Sequence, residues 1–296
     1  MALRSLGSWS PIVAAVGLAV VAGTADVATS AGADAPLAPP SFSQIARGPA
    51  GGTLWKGVIP NPERPALRRD TLVYLPPGAS RAGRYPVFYV LHGMPGDPYS
   101  IAGMNFTGAA DRAISRGTAR PFIAVIPPAG SSVRFMGEWA GVWERYVVDS
   151  VVPWVDANLP TRATRASRTI GGLSGGGYGA IDIGLRHPRL FGTLESWSGY
   201  FTAPSDLGGA LAHASAADYD PTLLVRRSAQ LLRTLGTRFF VSAGTGDGID
   251  VARARRFAQL LDASDLPNRL VVDRGGHDWR FWHDQLASAI EYAFAS

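Results

Sequence analysis

The stretch that decides the fold is RTIGGLSGGGYGAIDIGLR, residues 168–186. Its first six residues form a β-rich run, and the segment after the glycines, residues 178–186, has the spacing of a helix. Ser174 lies at the turn between them, with Gly172 and Gly176 on either side. A serine at a sharp strand-to-helix turn is typical of a nucleophile elbow, in which small neighbours permit the strained backbone. A phosphate-binding turn is the alternative, but no GK[ST] follows, as a P-loop would require.

Short β-rich runs and helical segments alternate on both sides of this stretch. Several of the runs are continuously apolar, as expected for parallel strands covered on both faces. The pattern predicts one α/β domain over residues 53–296, with a mostly parallel eight-stranded sheet and helices on both faces. The irregular stretch at residues 202–237 is predicted to be an excursion that covers the site and contains a helix. The predicted strands are 53–59, 71–75, 87–91, 122–126, 169–173, 193–197, 239–242 and 270–272, and the main predicted helices are 106–116, 144–158, 178–186, 250–263 and 282–294.

The N-terminal 35 residues predict export. Arg4 precedes an apolar run of 13 residues at 11–23, a length typical of a signal peptide and short for a membrane span. Cleavage is expected at 31–33 or 33–35, and an uncleaved membrane anchor is the alternative. Residues 36–52 then predict a flexible leader. The expected location is secreted or extracytoplasmic, with membrane attachment only if the segment stays uncleaved.

Composition excludes several kinds of site. The chain has 296 residues and no cysteine, so thiol nucleophiles, disulfides and thiolate–metal sites are absent. Its five histidines form no HxxxH or HExxH pattern, and no metal or cofactor is predicted. The net charge of +5 comes from short arginine clusters without a long basic stripe, so no nucleic-acid partner is expected.

A serine nucleophile needs a base and an acid to orient that base. His277 follows the last predicted strand directly and has two glycines before it, which makes it the candidate base. Asp247 is the first acid after the preceding strand and is the preferred candidate acid. Asp250 is its rival, although Asp250 could equally cap the following helix.

The negative charge of a tetrahedral intermediate needs two N–H donors. Gly175, directly after Ser174, and Met94, in the loop after the predicted strand 87–91, are the candidates. His92 precedes the serine in the chain and is expected to hold this loop rather than act as the base. The candidate pocket residues are Trp279, beside the predicted base, and the loop aromatics Trp143 and Phe201.

Six segments together resemble the esterase D / antigen 85 branch of the α/β-hydrolases, which includes feruloyl esterases, S-formylglutathione hydrolases and mycolyltransferases. They are LVYLPPG (72–78), YPVFYVLHG (85–93), WERYVVDSVVPWV (143–155), GGLSGGGYGAIDIGLRHPRLFG (171–192), SAGTGD (242–247) and GGHDWRFW (275–282). The resemblance implies a single α/β-hydrolase domain and the roles argued above for Ser174, Asp247, His277, Met94 and Gly175. The mycolyltransferases usually carry glutamate as the triad acid, whereas this chain offers aspartate.

These observations favour an exported serine esterase that hydrolyses a small-molecule or cell-wall carboxylic ester through an acyl-enzyme on Ser174. An acyltransferase that passes the acyl group to a sugar or cell-wall alcohol is the first alternative. A non-catalytic binding protein on the same fold is the second.

Overall fold

A computed structural model describes residues 37–130, 139–203 and 215–295. In this part of the chain nine strands form one sheet in the order β1-β2-β3-β5-β4-β6-β7-β8-β9. All eight predicted strands are present, and the predicted export segment 1–35 lies outside the described residues. The strands are β1 (Ser43–Arg47), β2 (Thr53–Gly57), β3 (Thr71–Leu75), β4 (Val87–Leu91), β5 (Ile123–Ile126), β6 (Arg168–Leu173), β7 (Thr193–Trp197), β8 (Arg238–Gly244) and β9 (Asn268–Asp273).

The sheet is antiparallel at one edge and parallel through the rest. β1, β2, β3 and β5 pair antiparallel in that order, whereas β5-β4-β6-β7-β8-β9 pair parallel. The carboxyl ends of the parallel strands therefore meet at one edge, where open α/β sheets bind ligands. This arrangement confirms the predicted mostly parallel sheet.

Eight α-helices cover the two faces of the sheet in the described residues. They are α1 (Pro98–Gly103), α2 (Phe106–Ser115), α3 (Val142–Arg145), α4 (Val152–Asn158), α5 (Gly175–Arg186), α6 (Pro221–Thr234), α7 (Ile249–Ala263) and α8 (Trp279–Phe294). A π-helical turn, Tyr146–Val151, joins α3 to α4 just before Pro153. The sequence predicts one helix with a kink at Pro153, and the discontinuity takes the form of this turn because proline has no N–H to donate.

The predicted flexible leader at 36–52 is wrong in its central part. β1 pairs with β2, and the turn between them is held by Asp111 of α2, whose carboxylate accepts from the N–H groups of Ala50 at 2.8 Å and Gly52 at 3.2 Å. All five β1 residues are exposed, so the strand has no hydrophobic alternation for a sequence pattern to detect.

Alternate residues of the central strands point into two separate cores. Tyr89 and Leu91 of β4 pack with α4, α5, α6 and α7, whereas Phe88 and Val90 pack with α1, α2 and α8. This period of two follows from the strand pleat, and it fixes helices on both faces of the sheet, as predicted.

The excursion predicted at 202–237 is described only in part, and its position over the site stays a prediction. Residues 204–214 lie outside the described part. The remainder contains α6, which packs against α5 and α7 and connects β7 to β8 as a crossover helix. Among the described residues, no helix combines the length and apolar character needed to cross a membrane.

Candidate active site

Ser174 lies at the sharp turn between β6 and α5. Its backbone has φ 53° and ψ −121°, a region that residues with side chains rarely adopt. Its N–H donates to the Trp197 carbonyl oxygen at 2.8 Å, which ties the turn to β7. Strain of this kind persists only where the surroundings fix it, and it is concentrated at functional sites. The turn has the geometry of a nucleophile elbow.

The glycines around Ser174 allow two backbone segments to approach each other closely. A Cβ at Gly176 would lie 2.2 Å from the Leu91 carbonyl oxygen and 2.6 Å from that of His92. A Cβ at Gly172 would lie 2.4 Å from the same Leu91 oxygen. Because these neighbours are backbone atoms that cannot move aside, only glycine lets α5 begin so close to the end of β4.

Three side chains from three loops converge at the carboxyl edge of the sheet. Ser174 Oγ lies 2.9 Å from His277 Nε2, and His277 Nδ1 lies 2.8 Å from Asp247 Oδ1. A ring nitrogen that faces a carboxylate carries the proton, so Nε2 remains free to accept the proton of the serine hydroxyl. The structure thus brings together the three residues that the sequence predicted for these roles.

Asp250, the alternative acid, also lies near the imidazole but does not bond to it. Its Oδ2 is 3.9 Å from His277 Nδ1, and its Oδ1 is 2.8 Å from the Arg253 guanidinium. The hydrogen-bond geometry therefore favours Asp247 as the orienting acid.

The environment of the imidazole favours its charged form. The pKa of His277 is raised by its hydrogen bond to Asp247 and by the negative charges of Asp247, Asp250 and Asp278, while partial burial opposes this effect. The His277 side chain is 40% exposed, whereas that of Asp247 is 1% exposed. Solvent can therefore reach the base while its orienting partner stays dry.

Sequence reasoning missed Trp282, which packs against the candidate base. Its ring meets the His277 ring edge to face, with centroids 5.0 Å apart. The signal was the run of aromatic residues in the first turn of α8, directly after His277. The buried Trp282 ring therefore restricts the rotation of the imidazole.

The loop after β4 runs past the nucleophile, as an oxyanion-binding loop must. A Cβ at Gly93 would lie 3.3 Å from the Cβ of Ser174, so Met94 directly follows a residue that lies against the nucleophile. Gly175 is the first residue of α5, where a backbone N–H has no partner within the helix. The candidate donors Met94 and Gly175 thus lie in the two backbone segments that border Ser174 Oγ.

His92 holds this loop in place, which is the role that the sequence predicted for it. Its Nε2 accepts from the Ala129 N–H at 3.2 Å, so the ring proton is on Nδ1, which donates to the Gly93 carbonyl oxygen at 2.9 Å. Trp139 Nε1 donates to the His92 carbonyl oxygen at 3.0 Å. Burial lowers the pKa of His92 to about 4, so the ring is neutral at pH 7.

The three candidate pocket residues lie in different environments. Trp279 is 52% exposed and borders a groove beside the site. Trp143 is 5% exposed and packs edge to face on Tyr146, and Phe201 is 2% exposed and stacks on Phe257. The expectation that Trp143 and Phe201 line a pocket is not supported, because both are used in the core.

The only group of acidic and histidine side chains in the described residues that is spaced to share a cation is Asp247, Asp250 and His277. Their ligand atoms all lie within 4.8 Å of one another. His277, however, meets Asp247 at hydrogen-bond distance and uses its other nitrogen toward Ser174. The pattern is that of a hydrogen-bonded triad, and we assign these residues no metal.

Comparisons with known proteins agree with this geometry. The family model described as "Putative esterase" matches residues 64–293. The chain is 25% identical over 242 residues to esterase Rv1288 of Mycobacterium tuberculosis, covering 70% of this chain and 52% of that protein. It is 24% identical over 271 residues to the diacylglycerol acyltransferase/mycolyltransferase Ag85A of Mycobacterium leprae, covering 75% of this chain and 78% of that protein. The chain thus spans about half the length of Rv1288.

A solved ferulic acid esterase has a similar structure. Its TM-score is 0.72 at 24% identity, covering 82% of this chain and 98% of that chain. At this identity the similarity shows the fold alone, which is that of the α/β-hydrolases.

Proposed function

The chain belongs to the Esterase family, and from that premise we propose that it is a serine carboxylic-ester hydrolase that forms an acyl-enzyme on Ser174. The observation that carries the proposal is the hydrogen-bonded chain from Ser174 Oγ through His277 to Asp247, with links of 2.9 and 2.8 Å. It begins at a strained turn, which supports a catalytic role over a merely structural hydrogen bond.

In the first half of the reaction, His277 Nε2 takes the Ser174 proton while Oγ attacks the ester carbonyl carbon. The carbonyl oxygen becomes negatively charged and accepts from the N–H groups of Met94 and Gly175. The tetrahedral intermediate then collapses, the bond to the alcohol oxygen breaks, and the imidazolium returns its proton to the departing alcohol. Asp247 stabilises the imidazolium throughout.

In the second half, water replaces the alcohol. His277 takes a proton from the water as its oxygen attacks the acyl carbon, and the acid leaves when Ser174 recovers its proton. The exposure of 40% of the His277 side chain supports this step, because the base is in contact with solvent. Loss of one oxyanion donor typically costs about 10²–10³ in rate, so the loop at Met94 matters as well as the triad.

Acyl transfer to an alcohol is the second candidate, and the similarity to the mycolyltransferase Ag85A favours it. The two reactions differ only in whether water or an acceptor hydroxyl attacks the acyl-enzyme. We favour hydrolysis because the base is open to solvent. Adding trehalose or glycerol to the assay and measuring transesterified product distinguishes them, and transfer that exceeds hydrolysis would reverse the preference.

Two grooves flank α1 and indicate where a substrate could extend. One, of about 510 Å³, is lined by Trp279, Met104, Gly103 and Arg280, and Trp279 follows His277 by two residues. The other, of about 450 Å³, begins at Pro95 on the oxyanion-loop side and is more polar. We propose that the apolar part of the ester contacts the Trp279 groove.

Activity-based labelling tests the nucleophile. A fluorophosphonate probe is expected to label the wild-type protein and not Ser174→Ala, because only an activated serine reacts. Equal labelling of both proteins, or none of the wild type, would mean that Ser174 is not the nucleophile, and none would favour a binding protein. A panel of short, medium and long acyl esters together with feruloyl esters, measured on the same two proteins, identifies the substrate class.

We also propose that the protein is exported, on the evidence of the sequence of residues 1–35 alone. N-terminal sequencing of the protein recovered from the producing cells tests this. A mature N-terminus near residue 34 or 36 is expected, and an intact Met1 in a soluble cytoplasmic fraction would contradict it.

A further inference from the structure

Asp250 places a second carboxylate beside the proposed base. It is the second residue of α7, its side chain is 17% exposed, and its Oδ2 lies 3.9 Å from His277 Nδ1. Asp247 Oδ1 lies 2.8 Å from the same nitrogen. The difference is about 1 Å, which a small side-chain rotation of Asp250 can close.

Arg253 holds Asp250 at this distance. The Arg253 guanidinium bonds to Asp250 Oδ1 at 2.8 Å, one helical turn further along α7. Arg253 bonds to Oδ1, whereas Oδ2 is the oxygen nearer to the imidazole. Asp250 therefore has one oxygen committed to Arg253 and the other turned toward His277.

The bond between His277 and Asp247 has little other support. Asp247 Oδ2 is buried and has no hydrogen-bond partner among the described residues. A buried carboxylate oxygen without a partner is unfavourable, so this side of Asp247 adds no hydrogen bond that fixes the side chain. A second carboxylate within reach of Nδ1 supplies the charge that would keep the imidazole oriented when the first bond lengthens.

We propose that Asp250 is a positioning residue that shares His277 with Asp247, and that Arg253 sets how closely Asp250 approaches Nδ1. This inference rests on the proposed function. Among the residues that the structure describes, the charged groups that face the imidazole are Asp247 before α7, Asp250 on α7 and Asp278 at the start of α8, and Arg253 acts on it through Asp250.

If Asp250 shares His277 with Asp247, substitutions at Asp250 and Arg253 should move the acid limb of the pH profile in opposite directions. All three carboxylates raise the pKa of His277, and the base must be neutral to accept the serine proton. Removing the charge of Asp250 lowers that pKa and moves the acid limb of kcat/KM to lower pH. Removing Arg253 frees Asp250 to move toward Nδ1 and moves the same limb to higher pH.

A double-mutant cycle tests the sharing. In the wild-type background we expect Asp250→Asn to lower kcat/KM for p-nitrophenyl acetate by less than about threefold. In an Asp247→Ala background, Asp250 is the carboxylate that remains within reach of Nδ1, and the same change should lower kcat/KM by about tenfold or more. The total loss in the double mutant should then approach the roughly 10⁴ that follows complete removal of a triad acid. An equal factor in both backgrounds would overturn the proposal.

Arg253→Gln provides the complementary test. In the Asp247→Ala background it should raise kcat/KM, because the released Asp250 can bond to Nδ1. A salt bridge that served only to stabilise α7 would instead give a decrease or no change, and either result would overturn the role given to Arg253. Arg256→Gln and Asp262→Asn remove the same charges from exposed positions of α7 and serve as matched controls.

Thermal unfolding shows whether each variant is folded. If Asp247→Ala does not fold, the pH dependence of kcat/KM is compared between the single variants Asp250→Asn and Asp262→Asn. Acid limbs at the same pH in both variants would overturn the proposal. Ser174→Ala separates the two levels of inference. Activity equal to wild type in Ser174→Ala defeats the proposed function, whereas an inactive Ser174→Ala with an additive cycle defeats the sharing alone.

Discussion

His92 is expected to control the rate of the reaction without touching the substrate. Its neutral ring connects the Gly93 carbonyl oxygen, one residue before the proposed donor Met94, to the Ala129 N–H after β5. His92→Leu removes both hydrogen bonds at nearly constant volume. Ala129 is buried, so its N–H would be left without a partner at a cost of about 1–3 kcal/mol in unfolding free energy.

The effect on catalysis follows from where negative charge develops. The bound ester carries no negative charge on its carbonyl oxygen, and the charge develops in the transition state that leads to the tetrahedral intermediate, so a displaced Met94 N–H lowers kcat and leaves KM nearly unchanged. Complete loss of one donor typically costs 10²–10³, and a loosened loop should therefore lose about 10². Urea unfolding measures the stability term, and steady-state kinetics on one activated ester measures the rate.

Two substitutions separate the two hydrogen bonds. The amide of His92→Asn can take the place of Nδ1 and donate to the Gly93 oxygen, whereas the longer His92→Gln can reach the position of Nε2 and accept from Ala129. If the Gly93 bond positions the donor, Asn should recover most of kcat and Gln most of the stability. A His92→Leu variant with kcat within twofold of wild type would refute this account.

Three further predictions concern the fold around the site. Burial raises the pKa of Glu195 well above its ordinary value, so the carboxyl loses its proton at lower pH in the unfolded chain than in the folded one. The free energy of unfolding therefore falls as pH rises above about 4.5. Glu195→Gln should flatten that slope by up to about 1.4 kcal/mol per pH unit in urea unfolding measured from pH 5 to 8. Gly176→Ala should cost about 1–3 kcal/mol and abolish fluorophosphonate labelling, because its Cβ would lie 2.2 Å from the Leu91 carbonyl oxygen, and unchanged labelling would contradict this account. Asp111→Ala should expose the β1–β2 turn to proteolysis and lower stability by about 3 kcal/mol, and unchanged cleavage there would contradict its anchoring role.

The parallel strands could be predicted because they are buried on both faces. Every residue of β4, β5 and β6 is buried; β4 and β5 are continuous apolar runs, and β6 continues as Ile-Gly-Gly-Leu after Arg168 and Thr169. β1 lacks that signal because it is an exposed edge strand with an irregular register near Gln44. The short helix α1 was also missed, although Asp97 followed by Pro98 is a recognisable helix start.

The proposed triad was predictable for a different reason. Chain order and local glycines identify Ser174, Asp247 and His277, because each follows a strand whose end lies at the same edge of the sheet. The environment of an aromatic residue has no such local signal. Trp143 and Phe201 look like Trp279 in sequence, and only tertiary packing distinguishes two core residues from one exposed beside the base.

The strain at Ser174 must be offset by the sheet beneath it, since the chain has no disulfide to hold the turn. A residue in this backbone region typically costs about 1–3 kcal/mol. Leu173, directly before it, is 1% exposed, and truncation of a buried leucine to alanine costs about 2–5 kcal/mol, which is of the same order as the strain. β6 is also hydrogen-bonded on both sides, to β4 and to β7. Packing at the end of β6 therefore supports the proposed catalytic geometry, because loosening it would let Ser174 relax to an ordinary conformation and move its hydroxyl away from His277.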